Sequence, residues 1–333
     1  MSASNHSVAE GHGLAGGAVK SSDAETPASG AAQATPCREQ NPIRLTVFAL
    51  PKPFSDDATS RAQLNAVRSW RALGPAIEVL LLGDEEGIAE TAASESVGHM
   101  PGVARNTQGT PLINSAFALA EHAARGDYLL YCNADVILRG PLVTLAEKLA
   151  QRWPAGFLGL GRRRDIKLDR LIDWTQCESA QAQLDALAGQ GRIAARVCKE
   201  YFLFRRGQFK EIPAFAVGRG NWDNWMVANS RRVGWPVVDL STAVEALHQE
   251  HDYSHLKASR RRPSRWDCYV SGVEAKENER LAGGKWLARG SSADWRISHR
   301  GELVKNMLSS WDLDFWLDLP KFLKLSLQLP FQR

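Results

Sequence analysis

Asp135 is the first residue of this sequence whose type and position suggest chemistry. It follows the apolar run at 128–132, from which Asn133 and one alanine separate it. Magnesium and manganese prefer oxygen donors, and one or two carboxylates completed by diphosphate oxygens form their usual shell in phosphate enzymes. Asp135 is therefore a candidate ligand for a divalent cation, and Asn133 a candidate hydrogen-bond partner for a sugar or ribose. The alternative is a plain turn between two strands, which the same residue types favour.

Three of the eight histidines lie close together, at His248, His251 and His255. On a helix they would share one face, and in an irregular segment they would still crowd next to Asp252. A neutral imidazole is a common metal ligand, so one of them could complete the shell of an ion at Asp135. The alternative is a capped loop whose imidazoles bond to the backbone.

Asp223 is the candidate catalytic base. It lies in the glycine- and tryptophan-rich segment 215–225, in the predicted first turn of a helix, next to Trp222 and close to Trp225. A carboxylate can take the proton of an attacking hydroxyl, and tryptophan packs well on the apolar face of a pyranose. The alternative is that Asp223 is only a charge at a helix N-terminus and that the tryptophans belong to the core.

The elements that would position these residues alternate between strand and helix. The run at 43–50 is rich in β-forming residues, and a helical pattern follows it. Residues 77–82 predict a buried strand that ends in an acidic turn with Asp84, and Thr110, followed by proline, predicts a helix start. The apolar run at 127–132 predicts a central strand. We therefore expect an α/β fold, a doubly wound, mixed and mostly parallel sheet flanked by helices, with ligands at the carboxyl edge of the strands.

Composition excludes several classes of protein. With 41 Lys+Arg against 37 Asp+Glu the net charge is +4, which argues against nucleic acid as a partner. Some of the arginines at 162–164, 205, 206, 219 and 260–262 could face a leaving diphosphate, but most of them are expected to be solvated. Five scattered cysteines without a CxxC pair predict free thiols. Without a pattern typical of a signal peptide or a membrane span, we expect a cytoplasmic protein.

The chain divides into three parts by composition. Residues 1–41 are poor in large apolar side chains and predict a disordered extension, whereas 42–300 predict the folded domain. Residues 301–333 are apolar and carry scattered lysines. This last segment could dock on the body, on the partner of a homodimer, or on the inner face of a membrane near lipid-linked acceptors.

Six segments, taken together and in this order, resemble bacterial glycosyltransferases of the GT-A, nucleotide-diphospho-sugar transferase type. They are Val47-Phe-Ala-Leu-Pro-Lys-Pro53, Leu82-Gly-Asp-Glu-Glu-Gly87, Ala104-Arg-Asn106 with Gly109-Thr-Pro111, Asn133-Ala-Asp135, Trp222-Asp-Asn-Trp225 and His248-Gln-Glu-His-Asp-Tyr-Ser-His255. The resemblance implies a GT-A-like α/β/α sandwich that covers about residues 44–299.

The resemblance also implies where the nucleotide binds. In that fold the first βαβ unit holds the nucleotide, so Ala49 and Pro51 would line the base pocket and Asp84 would contact the base or ribose. Asn106 and Thr110, in the third matching segment, would also contact the nucleotide-sugar.

The remaining matches imply a metal site and a base. Asp135 matches the last acid of the DxD motif, whose first acid is here Asn133. His248 or His251 matches the later histidine that binds the ion in many GT-A enzymes. Asp223 resembles the carboxylate that activates the acceptor in inverting members.

We therefore expect a glycosyltransferase that moves a sugar from a nucleotide diphosphate, a UDP-sugar, to a hydroxyl of a cell-envelope, polysaccharide or small-molecule acceptor with the help of Mn²⁺ or Mg²⁺. One alternative is a nucleotidyltransferase that makes the activated sugar. The segment Pro51-Lys-Pro-Phe54 argues against it, because those enzymes usually carry a glycine-rich loop after the first strand. The other alternative is a non-catalytic module that binds nucleotide-sugars.

Overall fold

The computed structural model describes residues 42–194, 198–250, 272–283 and 293–306. The predicted extension at 1–41 and, except for 301–306, the predicted C-terminal segment lie outside these residues. The proposed division of the chain into three parts therefore stays a prediction.

The first half of the described chain alternates strands and helices, as the sequence predicts. β1 lies between β2 and β4 and is parallel to both, and β3 extends the sheet next to β2. The elements are β1 (Leu45–Ala49), α1 (Asp57–Arg71), β2 (Ile77–Leu82), α2 (Ile88–Ser94), β3 (Gly98–Met100), α3 (Ile113–Ala123) and β4 (Tyr128–Cys132).

The second half adds shorter and more varied pieces to the sheet. Its elements are β5 (Val136–Arg139), α4 (Leu142–Arg152), β6 (Leu158–Ile166), α5 (Cys177–Gln190), β7 (Arg192–Ile193), β8 (Lys199–Arg205), α6 (Trp222–Arg232), β9 (Val237–Asp239), β10 (Glu245–Gln249), α7 (Val273–Leu281), β11 (Trp295–Ile297) and β12 (Leu303–Lys305).

The main path of the sheet runs β12-β11-β9-β6-β8-β4-β1-β2-β3. β8 is antiparallel to both of its neighbours, β4 and β6. β10 leaves this path, because it pairs in parallel with the far end of β6 and antiparallel with β5. β10 therefore links β5, the strand that follows β4, to the far end of β6.

Helices cover both faces of the sheet. Alternate residues of a strand point to opposite faces, so Val47 and Leu130 enter one hydrophobic cluster with α1 and α4, while Phe48 and Leu129 enter another with α3 and α6. A third, smaller cluster packs α5 over β5 and β10. The predicted α/β fold, a mixed sheet with flanking helices, is confirmed.

One predicted helix boundary is wrong. The sequence predicts that a helix begins at Thr110, but α3 begins at Ile113, and Leu112 before it is extended. The side chain of Asn106 accepts a hydrogen bond from the backbone N–H of Thr110, and Leu112 forms an isolated β-bridge with Ala216. These contacts keep 110–112 out of the helix, although a threonine followed by proline is typical of a helix start.

Candidate active site

The structure brings Asp135 and His248 together. Asp135 lies in the turn between β4 and β5, and β10 pairs with β5 so that His248 lies opposite Val136. Nε2 of His248 is 3.7 Å from Oδ2 of Asp135. His248 is buried, with 2% of its surface exposed, while the Asp135 side chain is 20% exposed.

This pair fits one divalent cation. A metal–ligand bond to nitrogen or oxygen is about 2.1 Å long, so a single ion can contact two atoms that are 3.7 Å apart. Within the described part of the chain, no group of three or more His, Cys, Asp or Glu side chains forms a metal site. An ion held here would take the rest of its shell from water and from the diphosphate of a donor, as is usual for Mg²⁺. The metal role of both residues stays a prediction.

A second carboxylate lies behind His248. Asp165, near the end of β6, bonds with Nδ1 of the imidazole at 3.0 Å. Burial disfavours the imidazolium, but the carboxylates of Asp135 and Asp165 outweigh burial and raise the pKa of His248 to about 9. A carboxylate on the far nitrogen is the usual support of a metal-binding histidine, because it fixes the ring and its tautomer. A cation that binds Nε2 must displace the proton from that nitrogen.

Arg163 links Asp165, the partner of His248, to the buried carboxylate of Glu200. Its guanidinium lies 2.8 Å from Asp165 and 2.6 Å from Glu200. Burial would raise the pKa of Asp165, but His248 and Arg163 together lower it to about 2. No sequence pattern points to Arg163, Asp165 or Glu200 as site residues. Most of the arginines are expected to be solvated, and Arg163 is an exception, because only 11% of its side chain is exposed.

Asn133 belongs to the same network. Its amide donates to Oε2 of Glu200 at 2.5 Å, and its Oδ1 accepts from the hydroxyl of Tyr131 at 3.2 Å. These bonds hold Asn133 in the protein framework. Its predicted contact with a sugar or ribose is not tested by this structure.

Asp223 lies in the first turn of α6 and is 8% exposed. Its Oδ2 is 3.5 Å from Nζ of Lys199, a side chain with no exposed surface. Its Oδ1 is buried and has no hydrogen-bond partner among the described residues. The predicted base is therefore a buried carboxylate with one oxygen still able to accept a hydrogen bond.

The tryptophans beside Asp223 pack within the protein. Trp222 is 6% exposed and contacts Tyr131 and Phe202 edge to face. Trp225 packs against Phe215. For Trp222 the core alternative is the correct one, since its ring has almost no surface left for a sugar.

The predicted nucleotide residues of the first βαβ unit lie at or just beyond the carboxyl ends of β1 and β2. Pro51 is buried, and Ala49 is fully enclosed in a hydrophobic cluster, with 0% exposure. Ala49 is thus a core residue with no free surface for a base in this structure. Asp84 follows β2 and is exposed, and its Oδ2 accepts a hydrogen bond from the N–H of Gly102 at 2.9 Å.

Asn106 and Thr110 contact Glu274, at the start of helix α7. Nδ2 of Asn106 donates to Glu274 of α7 at 2.6 Å, and Arg219 donates to the same carboxylate at 2.7 Å. Burial opposes ionisation of Glu274, but the hydrogen bonds from Thr110, Asn106 and Arg219 outweigh it and lower its pKa. The predicted contact of Asn106 and Thr110 with a nucleotide remains untested.

The other two histidines cannot be placed, since His251 and His255 lie outside the described residues. The prediction that His251 binds metal therefore stays open, and His248 is the histidine of this group that the structure describes.

Several solved structures are similar to this chain at low sequence identity. A mannosyltransferase from Pyrobaculum calidifontis in complex with GDP-Man and Mn²⁺ is 13% identical, with a TM-score of 0.39 over 65% of this chain and 61% of that one. Glucosyl-3-phosphoglycerate synthase from Mycobacterium tuberculosis with Mg²⁺ and UDP is 15% identical, with a TM-score of 0.38 over 64% and 74%. Mannosyl-3-phosphoglycerate synthase from Rubrobacter xylanophilus is 17% identical, with a TM-score of 0.39 over 64% and 69%. No protein-family profile and no curated protein matches the chain.

Among the helices of the described ranges, none combines the length and apolar character that crossing a bilayer requires.

Proposed function

We propose that this chain is a glycosyltransferase that moves a sugar from a UDP-sugar to a hydroxyl group with the help of Mn²⁺ or Mg²⁺. One observation carries the proposal. Oδ2 of Asp135 and Nε2 of His248 are 3.7 Å apart beyond the carboxyl end of β4, with the buried carboxylate of Asp165 behind the imidazole. This edge is where open α/β sheets bind their ligands.

Asp135 and His248 would hold the metal, which when bound would neutralise the negative charge that grows on the departing diphosphate. Asp165 would keep the imidazole in the orientation that presents Nε2. Asp223 would take the proton of the acceptor hydroxyl as the hydroxyl oxygen forms its bond to the anomeric carbon. The bond from that carbon to the diphosphate breaks in the same step, and the diphosphate leaves with the electron pair.

The nucleotide, the acceptor and the location of the protein are also part of the proposed function. Pro51, Asp84, Asn106 and Thr110 are the proposed nucleotide-binding residues, and His251 is a further proposed ligand of the metal. The acceptor is proposed to be a polysaccharide, a lipid-linked sugar or a small molecule of a bacterial cell. The protein would act in the cytoplasm, as a homodimer or at the inner face of the membrane through 301–333.

Binding is the first test. A ligand that binds only the folded protein raises its melting temperature. We expect UDP together with Mn²⁺ to raise the melting temperature more than either alone, and EDTA to remove the gain. GDP tested in the same way measures selectivity for the nucleotide.

Turnover is the second test. UDP release from UDP-glucose and UDP-galactose, with water as the acceptor, is expected in Mn²⁺ and is lost in EDTA. Asp135→Ala should reduce release by at least about 100-fold, whereas Asp185→Ala, at an exposed side chain, serves as the matched control. Full activity of Asp135→Ala would contradict the metal assignment.

A non-catalytic module is the second candidate, because Asn133 stands where DxD motifs carry their first acid and is held by Glu200. Binding of UDP-sugars without UDP release, across several hydroxyl acceptors, would favour this candidate. Pyrophosphate release from a sugar phosphate and UTP would instead favour a nucleotidyltransferase.

A further inference from the structure

Lys199 is a buried cation at the start of β8. Its side chain has no exposed surface, and its Nζ lies 2.9 Å from Oδ1 of Asn224 and 3.5 Å from Oδ2 of Asp223. Removing an ammonium group from water costs several kcal/mol unless polar partners compensate. Both of these partners lie in the first turn of α6. The lysine therefore ties the start of this helix to the sheet.

β8 contributes neighbouring side chains to both parts of the site, next to an irregularity in its pairing with β6. Tyr201 lies opposite Gly161 and Lys199 opposite Arg162, so that Glu200 is an extra residue on β8. In a regular strand, the side chains of neighbouring residues point to opposite faces of the sheet. A bulge changes the direction of the side chains at the unpaired residue. Here Lys199 contacts Asp223, while Glu200, the next residue, contacts Asn133.

The carboxylate of Asp223 has an ion-pair partner at one oxygen and no hydrogen-bond partner at the other. Oδ2 faces Lys199, whereas Oδ1 is buried without a hydrogen-bond partner among the described residues. Leaving a buried acceptor without a bond costs free energy, so such an atom in a native structure calls for an explanation. A hydroxyl group that donates to Oδ1 would supply the missing bond.

We propose that Lys199 is a positioning residue for Asp223. Its ammonium group fixes Oδ2 and the neighbouring Asn224, so that Oδ1 stays available to the acceptor hydroxyl. This role rests on the proposed function, in which Asp223 is the base. Lys199 itself does not touch substrate in this scheme, and it acts only through the carboxylate.

The test compares Lys199→Met, which keeps the length of the side chain without its charge, with Lys199→Arg, which keeps the charge. UDP release is measured with water as the acceptor and with whichever of UDP-glucose and UDP-galactose the wild type hydrolyses faster. For Lys199→Met we expect kcat to fall about 100-fold, the scale of a general base, while KM for the donor stays within about twofold. Lys199→Arg should recover most of the lost kcat. Lys305→Met, at an exposed lysine on β12, is the matched control.

A second pair of variants separates positioning from a structural role. If Lys199 acts through Asp223, Lys199→Met in an Asp223→Asn background should cause no further loss of kcat. The proposal would be overturned if the fold-losses of kcat in the two single variants multiply in the double variant. It would also be overturned if Lys199→Met has a normal kcat. Melting curves confirm folding, and if Lys199→Met does not fold, Lys199→Gln replaces it with the same expectation. A wild type that binds UDP but releases none contradicts the proposed function itself, and the role of Lys199 falls with it.

Discussion

Around His248 the charged side chains form a network of ion pairs with several members, whereas Asp223 on α6 has a cation at one oxygen and no hydrogen bond at the other. Asp165 bonds with His248, and Arg163 bridges Asp165 and Glu200. Asp223 has a cation on one side only, and its Oδ1 meets no donor among the described residues.

The difference suggests that the two regions are built for different tasks. A network of paired charges holds its members in fixed positions before a ligand arrives, which suits a site for a metal and a diphosphate. An open acceptor atom gains its bond only when a substrate arrives, which suits a base.

Removing Arg163 should cause the largest loss of stability. Arg163→Met leaves the buried carboxylates of Asp165 and Glu200 without the guanidinium between them. Breaking a buried charge pair in this way costs about 3–5 kcal/mol, which urea unfolding would measure. Arg280→Met, at an exposed pair with Glu277, should cost less than about 1 kcal/mol. Similar losses in both variants would show that the network is not preorganised.

Asp165 is expected to strengthen the binding of Mn²⁺ by His248. Asp165→Asn removes the carboxylate that supports the imidazole of His248, and loss of such a support weakens metal binding by about 10- to 100-fold. Titration calorimetry with Mn²⁺ measures the change. Asp185→Asn, at a side chain that is 69% exposed, is the control. Unchanged Mn²⁺ affinity in Asp165→Asn would place the ion elsewhere.

The bulge that joins the two regions can be strained directly. A Cβ added at Gly161 would lie 2.6 Å from Cζ of the fully buried Tyr201, which leaves little room to move. We expect Gly161→Ala to cost about 1–3 kcal/mol through overpacking. Gly189→Ala meets no atom within 4 Å and should stabilise α5 by about 0.5–1 kcal/mol. Thermal unfolding of both variants checks the opposite signs, and a neutral Gly161→Ala would contradict the tight packing behind the bulge.

The contrast between the two regions also explains what the sequence could predict. The strand at 77–82 matches β2, because an apolar run between turn residues is a local signal. Residue type and motif order made Asp135 a candidate metal ligand, together with His248 or His251, but did not decide between the two histidines. Arg163 and Glu200 could not be singled out, because they meet only through the pairing of β6 with β8, and a basic run usually signals a solvated surface.

The start of α3 is a second place where the local sequence did not predict the structure. Thr110 followed by proline is a good local signal for a helix N-terminus, yet Asn106 and a β-bridge from Leu112 to Ala216 keep this segment extended. A side chain four residues away and a bridge to a distant residue together overrode the helix preference of this segment. The missing hydrogen bond at Oδ1 of Asp223 could not be predicted either, because no sequence pattern indicates a buried acceptor without a partner.

The smallest effect on stability is expected where both charges of the second region are removed together. Lys199→Met with Asp223→Asn leaves no buried charge at the start of α6, and replacing a buried pair by neutral groups is often neutral or stabilising. We expect urea unfolding to give a free energy within about 1 kcal/mol of the wild type or above it, while UDP release is lost. Each single variant should be less stable than the double variant, because it leaves one buried charge without its partner. A double variant that unfolds would show that the pair holds α6 in place. A stable but inactive one would mean that the pair is retained for chemistry rather than for stability.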